Sequence, residues 1–412
     1  MTATHTPAAA TRAAGSSVDS KADADALIGR ARELAPVIRE HAAGMERERR
    51  VAKPVLDALL RGGFQGMFAP RSLGGLELDP LTAFRVVEEI ARADSNAAWA
   101  LQSGNVNVYW ASRFPEEGIE EIYQGNANDI LVGAAFHPPQ QAIEVAGGFK
   151  LTGRVPLASM IHDAGWIVVS AFIMEDGKPR MTPFGPAMIG VALPASDIEI
   201  IDTWHTLGMR GTDSNDAAFR DVFVPLRRVF HVVPEYERGR HFQGPLYRFP
   251  AVPIIALFSV AVLLAAARAA IDEFRHIAQT KVPMGSMKSL RDRGVVQAGV
   301  AEAEGKLRAA RAFFVDTLGE TWARTSRGES NSLEQRADML LAGVHAAKTA
   351  AETTDLIHRL AGTTGIYESS PLERHFRDTH TLRNHGFASE NKLESVGQIY
   401  LGLPPDFPLI AF

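Results

Sequence analysis

A β-rich block with helical sequence on both sides is the feature that most limits what this chain can fold into. "ILVGAAF", "QAIEVAGGFKLTGRVPLAS", "GWIVVSAFIM", "MIGVALPA", "IEIIDTW" and "DAAFRDVFVP" are short runs rich in β-branched and aromatic residues, divided by Gly, Pro and Asp. They occupy residues 129–235, and "VAGGFKLTG" within them reads as a hairpin. Ahead of the block, Leu27, Ala31, Leu34 and Ile38 recur at helical intervals, and residues 22–61 predict two helices, the second opened by Pro54. The Pro/Gly loop "FAPRSLGGLELDP" leads to the helices "LTAFRVVEEIARAD" and "SNAAWALQSGNVNVYWASRF", the latter capped by Ser95 or Asn96. Beyond the block, helical periodicity returns in four long segments near 250–280, 288–326, 332–361 and 371–396. The expected domains are thus 22–128 (helical), 129–235 (β) and 236–412 (helical).

Several function classes are disfavoured by composition. The formal net charge of −5 provides no basic field for nucleic acid or an anionic membrane. No cysteine is present, which rules out disulfides, thiolate nucleophiles and iron–sulfur clusters, and agrees with a cytoplasmic location. Residues 1–21, rich in Ala, Thr and Ser, read as a disordered tail, since a secretory signal would need an apolar core. "AVPIIALFSVAVLLAAARAA", residues 251–270, barely reaches membrane-spanning length and contains Pro253; a helix buried on all sides of a bundle is expected. No GxGxxG follows a strand and there is no Walker-type loop.

Four ordered stretches then carry a resemblance. "PRSLGGLELDP", "GFKLTGRVPLASMIHDAGW", "LGMRGTDSNDAAFRDVFVP" and "GTTGIYESSPLERHFRD" resemble segments of the acyl-CoA dehydrogenase superfamily across some 350 residues. The resemblance implies an α+β fold: an N-terminal helical domain, a central β-barrel-like domain and a C-terminal four-helix bundle, assembled as a homotetramer. Three departures separate the chain from the dehydrogenases. Near the position of their catalytic Glu stands His385, followed by Gly386, and no carboxylate occurs between Asp378 and Glu390. Their Trp-Ile-Thr reads Leu157-Ala158-Ser159, and their Thr-Glu-Pro strand reads "GAAFHPPQQA". All three look like those of the flavin-dependent monooxygenases of the same fold, such as 4-hydroxyphenylacetate hydroxylase and dibenzothiophene monooxygenase. The Arg-Asp-x6-His spacing from Arg377 to His385 matches the latter.

That resemblance implies a two-component monooxygenase using reduced FMN or FAD and O2 through a C4a-hydroperoxyflavin, with a separate NAD(P)H:flavin reductase. A histidine with pKa near neutrality can hold a proton beside an anionic reduced flavin, whereas a Glu would be ionised and repel it. A Ser hydroxyl can accept the flavin N5–H. His385 and Ser159 are therefore the expected catalytic residues. Ser159, Trp204, Lys281 and Ala135 are expected to contact the cofactor. Asn107, Phe136 and His137 are expected to contact a small aromatic, heteroaromatic or amine substrate. In this group a histidine often follows the tryptophan of "AAWALQSG"; Asn105, Val106 and Asn107 stand there, which weakens a simple phenol hydroxylase.

Alternatives accompany each reading. His385 in isolation is more often a structural histidine, and Ser159 an ordinary strand serine. The spacing of His375, His380 and His385 by five does not place two imidazoles on one helical face, so no metal is expected. A dehydrogenase with a base relocated to Glu368 or Glu373 is the competing function, and a silent scaffold is the third.

Overall fold

The computed structural model describes residues 20–182, 185–233 and 235–411; the expected tail falls almost wholly outside them. The helices are α1 (Lys21–Glu33), α2 (Ala35–Glu48), α3 (Lys53–Arg61), α4 (Pro80–Ala91), α5 (Ser95–Ala111), α6 (Glu116–Tyr123), α7 (Ala251–Thr280), α8 (Gly294–Ser326), α9 (Leu333–Ala361), α10 (Pro371–Leu382) and α11 (Leu393–Tyr400). The strands are β1 (Val132–Val145), β2 (Gly148–Val155), β3 (Trp166–Glu175), β4 (Lys178–Pro179), β5 (Met181–Thr182), β6 (Gly185–Pro186), β7 (Met188–Pro194), β8 (Glu199–Ile201), β9 (Asp216–Pro225) and β10 (Val229–His231).

Three local expectations are corrected. Residues 22–61 form three helices, because Pro36 cannot donate a helical hydrogen bond and a new helix starts around it, with Pro at its first turn. The cap of α5 is Asp94, whose Oδ1 accepts from the amides of Asn96 (2.8 Å) and Ala97 (3.1 Å). The last bundle segment is broken: α10 stops at Leu382 and α11 begins at Leu393, so His385 stands on a turn rather than a helix face.

The strands of the main sheet follow the order β10-β7-β3-β1-β2-β9-β8. β1 and β2 form the expected hairpin, turning through Ala146 and Gly147, whose φ of 81° suits glycine. β1 and β3 pair in parallel, with a shift in register between Ala135 and Gln140 that bulges out Phe136, His137 and the two prolines. In the helical part, α7 packs against α4, α5, α9 and α10. It is long and apolar enough to cross a membrane, yet 94% of its most apolar window is buried within the protein. This is the bundle-core helix expected from its all-round apolarity.

Helix α10 is fastened to the loop between β8 and β9. Arg377 Nη1 donates to the Leu207 carbonyl (2.8 Å), the Gly208 amide donates to Thr381 Oγ1 (2.9 Å), and the Met209 amide donates to Asp378 Oδ1 (2.6 Å). A Cβ on Gly208 would lie 2.4 Å from the Arg377 carbonyl carbon and oxygen and 2.6 Å from the Asp378 nitrogen. These are backbone atoms that cannot swing away. Gly208→Ala is expected to cost about 1–3 kcal/mol, the range for overpacking, measured by urea unfolding; unchanged stability would contradict this contact.

Candidate active site

Ser159 follows β2 in a tight turn, not within the strand as its sequence setting implied. Its neighbours Leu157 (φ 63°) and Met160 (φ 60°) both adopt the left-handed conformation, which is costly for residues with a Cβ. The turn is held there by the loop before β9. The Ala158 amide donates to the Asn215 carbonyl (3.0 Å) and the Met160 amide to the Thr212 carbonyl (2.9 Å). The fully buried Asp213 accepts from the His162 amide (2.9 Å) and lies 2.8 Å from His162 Nδ1. His162 orders the turn.

The Ser159 hydroxyl accepts from Trp99 Nε1 (3.0 Å) and lies 2.7 Å from Ser214 Oγ. The Trp99 ring also meets His385 edge to face, with centroids 5.2 Å apart and planes at 76°. Ser159 and His385, far apart in sequence, thus converge on one indole from α5. His385 Nδ1 is 3.1 Å from Ser259 Oγ on α7, and its ring is 5.9 Å from that of Phe387. With Nδ1 so engaged, Nε2 is the nitrogen left to exchange a proton with a ligand.

Burial, with no carboxylate opposing it, pushes the His385 imidazole down to about 4. The expectation of a near-neutral value is corrected: burial removes the ring from water and disfavours its charged form. At pH 7 the ring is neutral, and it would gain a proton only when an anionic group enters beside it. His375 is also buried, at about 3, and His380 pairs with Asp355 (2.8 Å), so the three histidines do not form a cluster.

The remaining candidates divide. Phe136, half-buried, packs 5.5 Å from Trp110, and its carbonyl accepts from Ser170 Oγ. Ala135 is buried beside the β1 bulge, and His137 is exposed on it. Trp204 is half-buried, with Nε1 donating to the Met209 carbonyl (2.9 Å), so it braces the loop behind Ser159. Asn107 is buried and spends its amide nitrogen on the carbonyls of Ser103 and Val132, tying α5 to β1 rather than facing solvent. Lys281 donates to the Ala361 carbonyl and closes the end of α9. Of the bases considered for a dehydrogenase, Glu373 is ion-paired to Arg377 and Glu368 is exposed. Glu116, Glu120 and His241 approach one another, but Arg240 bridges both carboxylates.

Sequence reasoning did not single out Trp99, Thr212, Ser214 or Ser259. Three are hydroxyls whose role depends on partners distant in sequence; only the "GTDSND" run, polar where a strand approach is usually apolar, marked two of them.

Whether the site suits a flavin can be judged from its donor set. Ser159 Oγ keeps one unused hydrogen-bonding position after its two contacts, and the His385 imidazole lies against the same Trp99 ring, with Phe387 beside it. A polar hydroxyl and an imidazole beside apolar and aromatic walls fit a flat heteroaromatic ring with one polar edge.

Two family models match the chain: Acyl-CoA dehydrogenase, N-terminal domain, over residues 22–118, and Acyl-CoA dehydrogenase, C-terminal domain, over residues 257–390. Indole-3-acetate monooxygenase of Pseudomonas putida is 32% identical over 364 residues, 87% of this chain and 90% of that protein. HsaA of Rhodococcus jostii, the oxygenase subunit of a flavin-dependent monooxygenase, is 26% identical over 85% of this chain and 92% of its own. XiaF from Streptomyces sp., solved in complex with FADH2 and glycerol, matches in fold with a TM-score of 0.87 at 24% identity, covering 93% of this chain and 97% of that one. The chain belongs to the acyl-CoA dehydrogenase superfamily, within its flavin-dependent monooxygenases.

A pH titration of the His385 ring by NMR in the flavin-free protein is expected to show a neutral imidazole down to about pH 4. Since an unfolded histidine titrates near 6.5, any stability gained from keeping this ring neutral is lost as pH falls from the unfolded towards the folded value. A folded-state value at or above that of a free histidine would contradict the burial described.

Proposed function

We propose that this protein is the oxygenase component of a two-component monooxygenase. A separate NAD(P)H:flavin reductase supplies reduced FMN or FAD, and one atom of O2 is transferred to a small aromatic or heteroaromatic substrate while the other leaves as water. The bound reduced flavin supplies the activation of O2. The observation that carries the reading is the convergence of Ser159 and His385 on Trp99.

Each side chain has a distinct task in this reading. Ser159 Oγ accepts an N–H of the ring and holds that proton in place. His385, whose burial favours the neutral ring, takes up a proton beside the negatively charged reduced ring and returns it from Nε2 when oxygen is reduced. The indole of Trp99 and the aromatic pair Phe136 and Trp110 keep water away from the reacting atoms. An aromatic substrate is supported by the Pseudomonas putida relative, named for indole-3-acetate. The commitment of Glu373 to Arg377 counts against the dehydrogenase reading, which needs a free base. The homotetramer and the cytoplasmic location belong to the same proposal. Nearly full exposure of Met284 and Met287, beside the half-exposed Val282, supports a face covered by another subunit, and the absence of cysteine agrees with a reducing compartment.

The test feeds the protein with reduced FMN or FAD from a purified reductase and NADH, with indole-3-acetate as first substrate, and follows oxygenated product and released H2O2. Wild type is expected to form product. His385→Ala should slow product formation by about 100-fold, the ordinary size of a lost proton-transfer group, and Ser159→Ala should divert oxygen to H2O2. Reduction of bound flavin by an acyl-CoA, with no oxygenated product from any aromatic tried, would overturn the proposal.

A further inference from the structure

Three hydroxyls lie in line behind the site. Thr212 Oγ1 is 2.9 Å from the Met209 carbonyl and 2.7 Å from Ser214 Oγ; Ser214 Oγ is 2.7 Å from Ser159 Oγ. Thr212 and Ser214 are buried, away from competing water. Three oxygen–oxygen contacts require three hydrogens, and the three hydroxyls own one each. The Met209 carbonyl owns none, so the hydrogen in its contact is that of Thr212. The Thr212–Ser214 contact must then take the hydrogen of Ser214, and the Ser214–Ser159 contact that of Ser159. Trp99 Nε1 adds a fourth hydrogen from the other side, occupying one lone pair of Ser159 Oγ.

The geometry points to Thr212 and Ser214 as positioning residues that turn Ser159 into an acceptor only, so that the site selects the reduced over the oxidised flavin. With its own hydrogen spent on Ser214 and one lone pair on Trp99, Ser159 Oγ offers a ligand a single lone pair. A reduced flavin presents an N–H at its central ring, and an oxidised flavin a bare nitrogen that needs a donor. The inference rests on the reading that Ser159 faces the flavin.

Loss of the Thr212 hydroxyl removes the constraint. Ser214 can then donate to Ser159, and Ser159 can donate outwards. The Met209 carbonyl keeps Trp204 Nε1 as its partner, so the fold does not depend on the change. The test measures anaerobic dissociation constants of oxidised and dithionite-reduced FMN, and of the two forms of FAD, for the full chain and for Thr212→Val and Thr212→Ser. Wild type is expected to bind the reduced form more tightly. Thr212→Val should narrow the reduced-to-oxidised ratio by about fivefold, the size of one hydrogen bond, and Thr212→Ser should keep it. Ser214→Ala breaks the same line one step nearer the ligand and should narrow the ratio likewise if Thr212→Val folds poorly. An unchanged ratio in both variants overturns the inference and leaves the functional reading standing. A wild type that binds no flavin in either state defeats that reading, and this inference with it.

Discussion

The grip of α10 on the 207–209 turn is the interaction on which the rest of the site depends. Three successive backbone groups are held by three side chains of one helix, and a missing Cβ at Gly208 lets the two backbones touch. The grip has an electrostatic cost. Asp378 is buried, and desolvation together with the neighbouring Asp94 carboxylate raises its pKa to about 7. Arg377, ion-paired to Glu46 and Glu373, and Arg374, 3.8 Å from Asp94, supply the opposing charge. Removing one member of such a buried set leaves an uncompensated charge, and so the set is expected to act as a unit.

Its consequence is geometric. The Met209 amide is fixed by Asp378, and the Met209 carbonyl receives Trp204 and Thr212. The loop so held then holds the Ser159 turn in a backbone conformation that Leu157 and Met160 would not adopt alone. The same helix ends three residues before His385 and delivers it to the wall formed by α5 and α7. One rigid junction thus sets both sides of the site, although Ser159 belongs to the sheet and His385 to the bundle.

Much of this was legible in the sequence. Helical periodicity, together with the β-branched and aromatic runs divided by Gly, Pro and Asp, showed the helix–sheet–helix order, and the uninterrupted apolarity of α7 showed its place in the core. The replacement of a carboxylate by His385, framed by Arg377 and Asp378, directed attention to the turn that meets Trp99. Cross-chain partners were not legible: nothing local in Trp99 shows that it contacts both Ser159 and His385, and nothing in Lys281 shows that it closes α9. The break after Leu382 was missed because the apolar spacing carries on through a turn whose amides bond locally, as His385 does to Leu382. The low pKa of His385 was missed for a related reason, since burial is a property of neighbours and not of the residue.

The most direct measurement is a crystal structure of the protein grown or soaked anaerobically with reduced FMN. The account expects the ring system beside Trp99, with one ring nitrogen within hydrogen-bonding reach of Ser159 Oγ and His385 Nε2 facing the ring. A flavin seated elsewhere, with Ser159 and His385 still bonded only to protein, would contradict it.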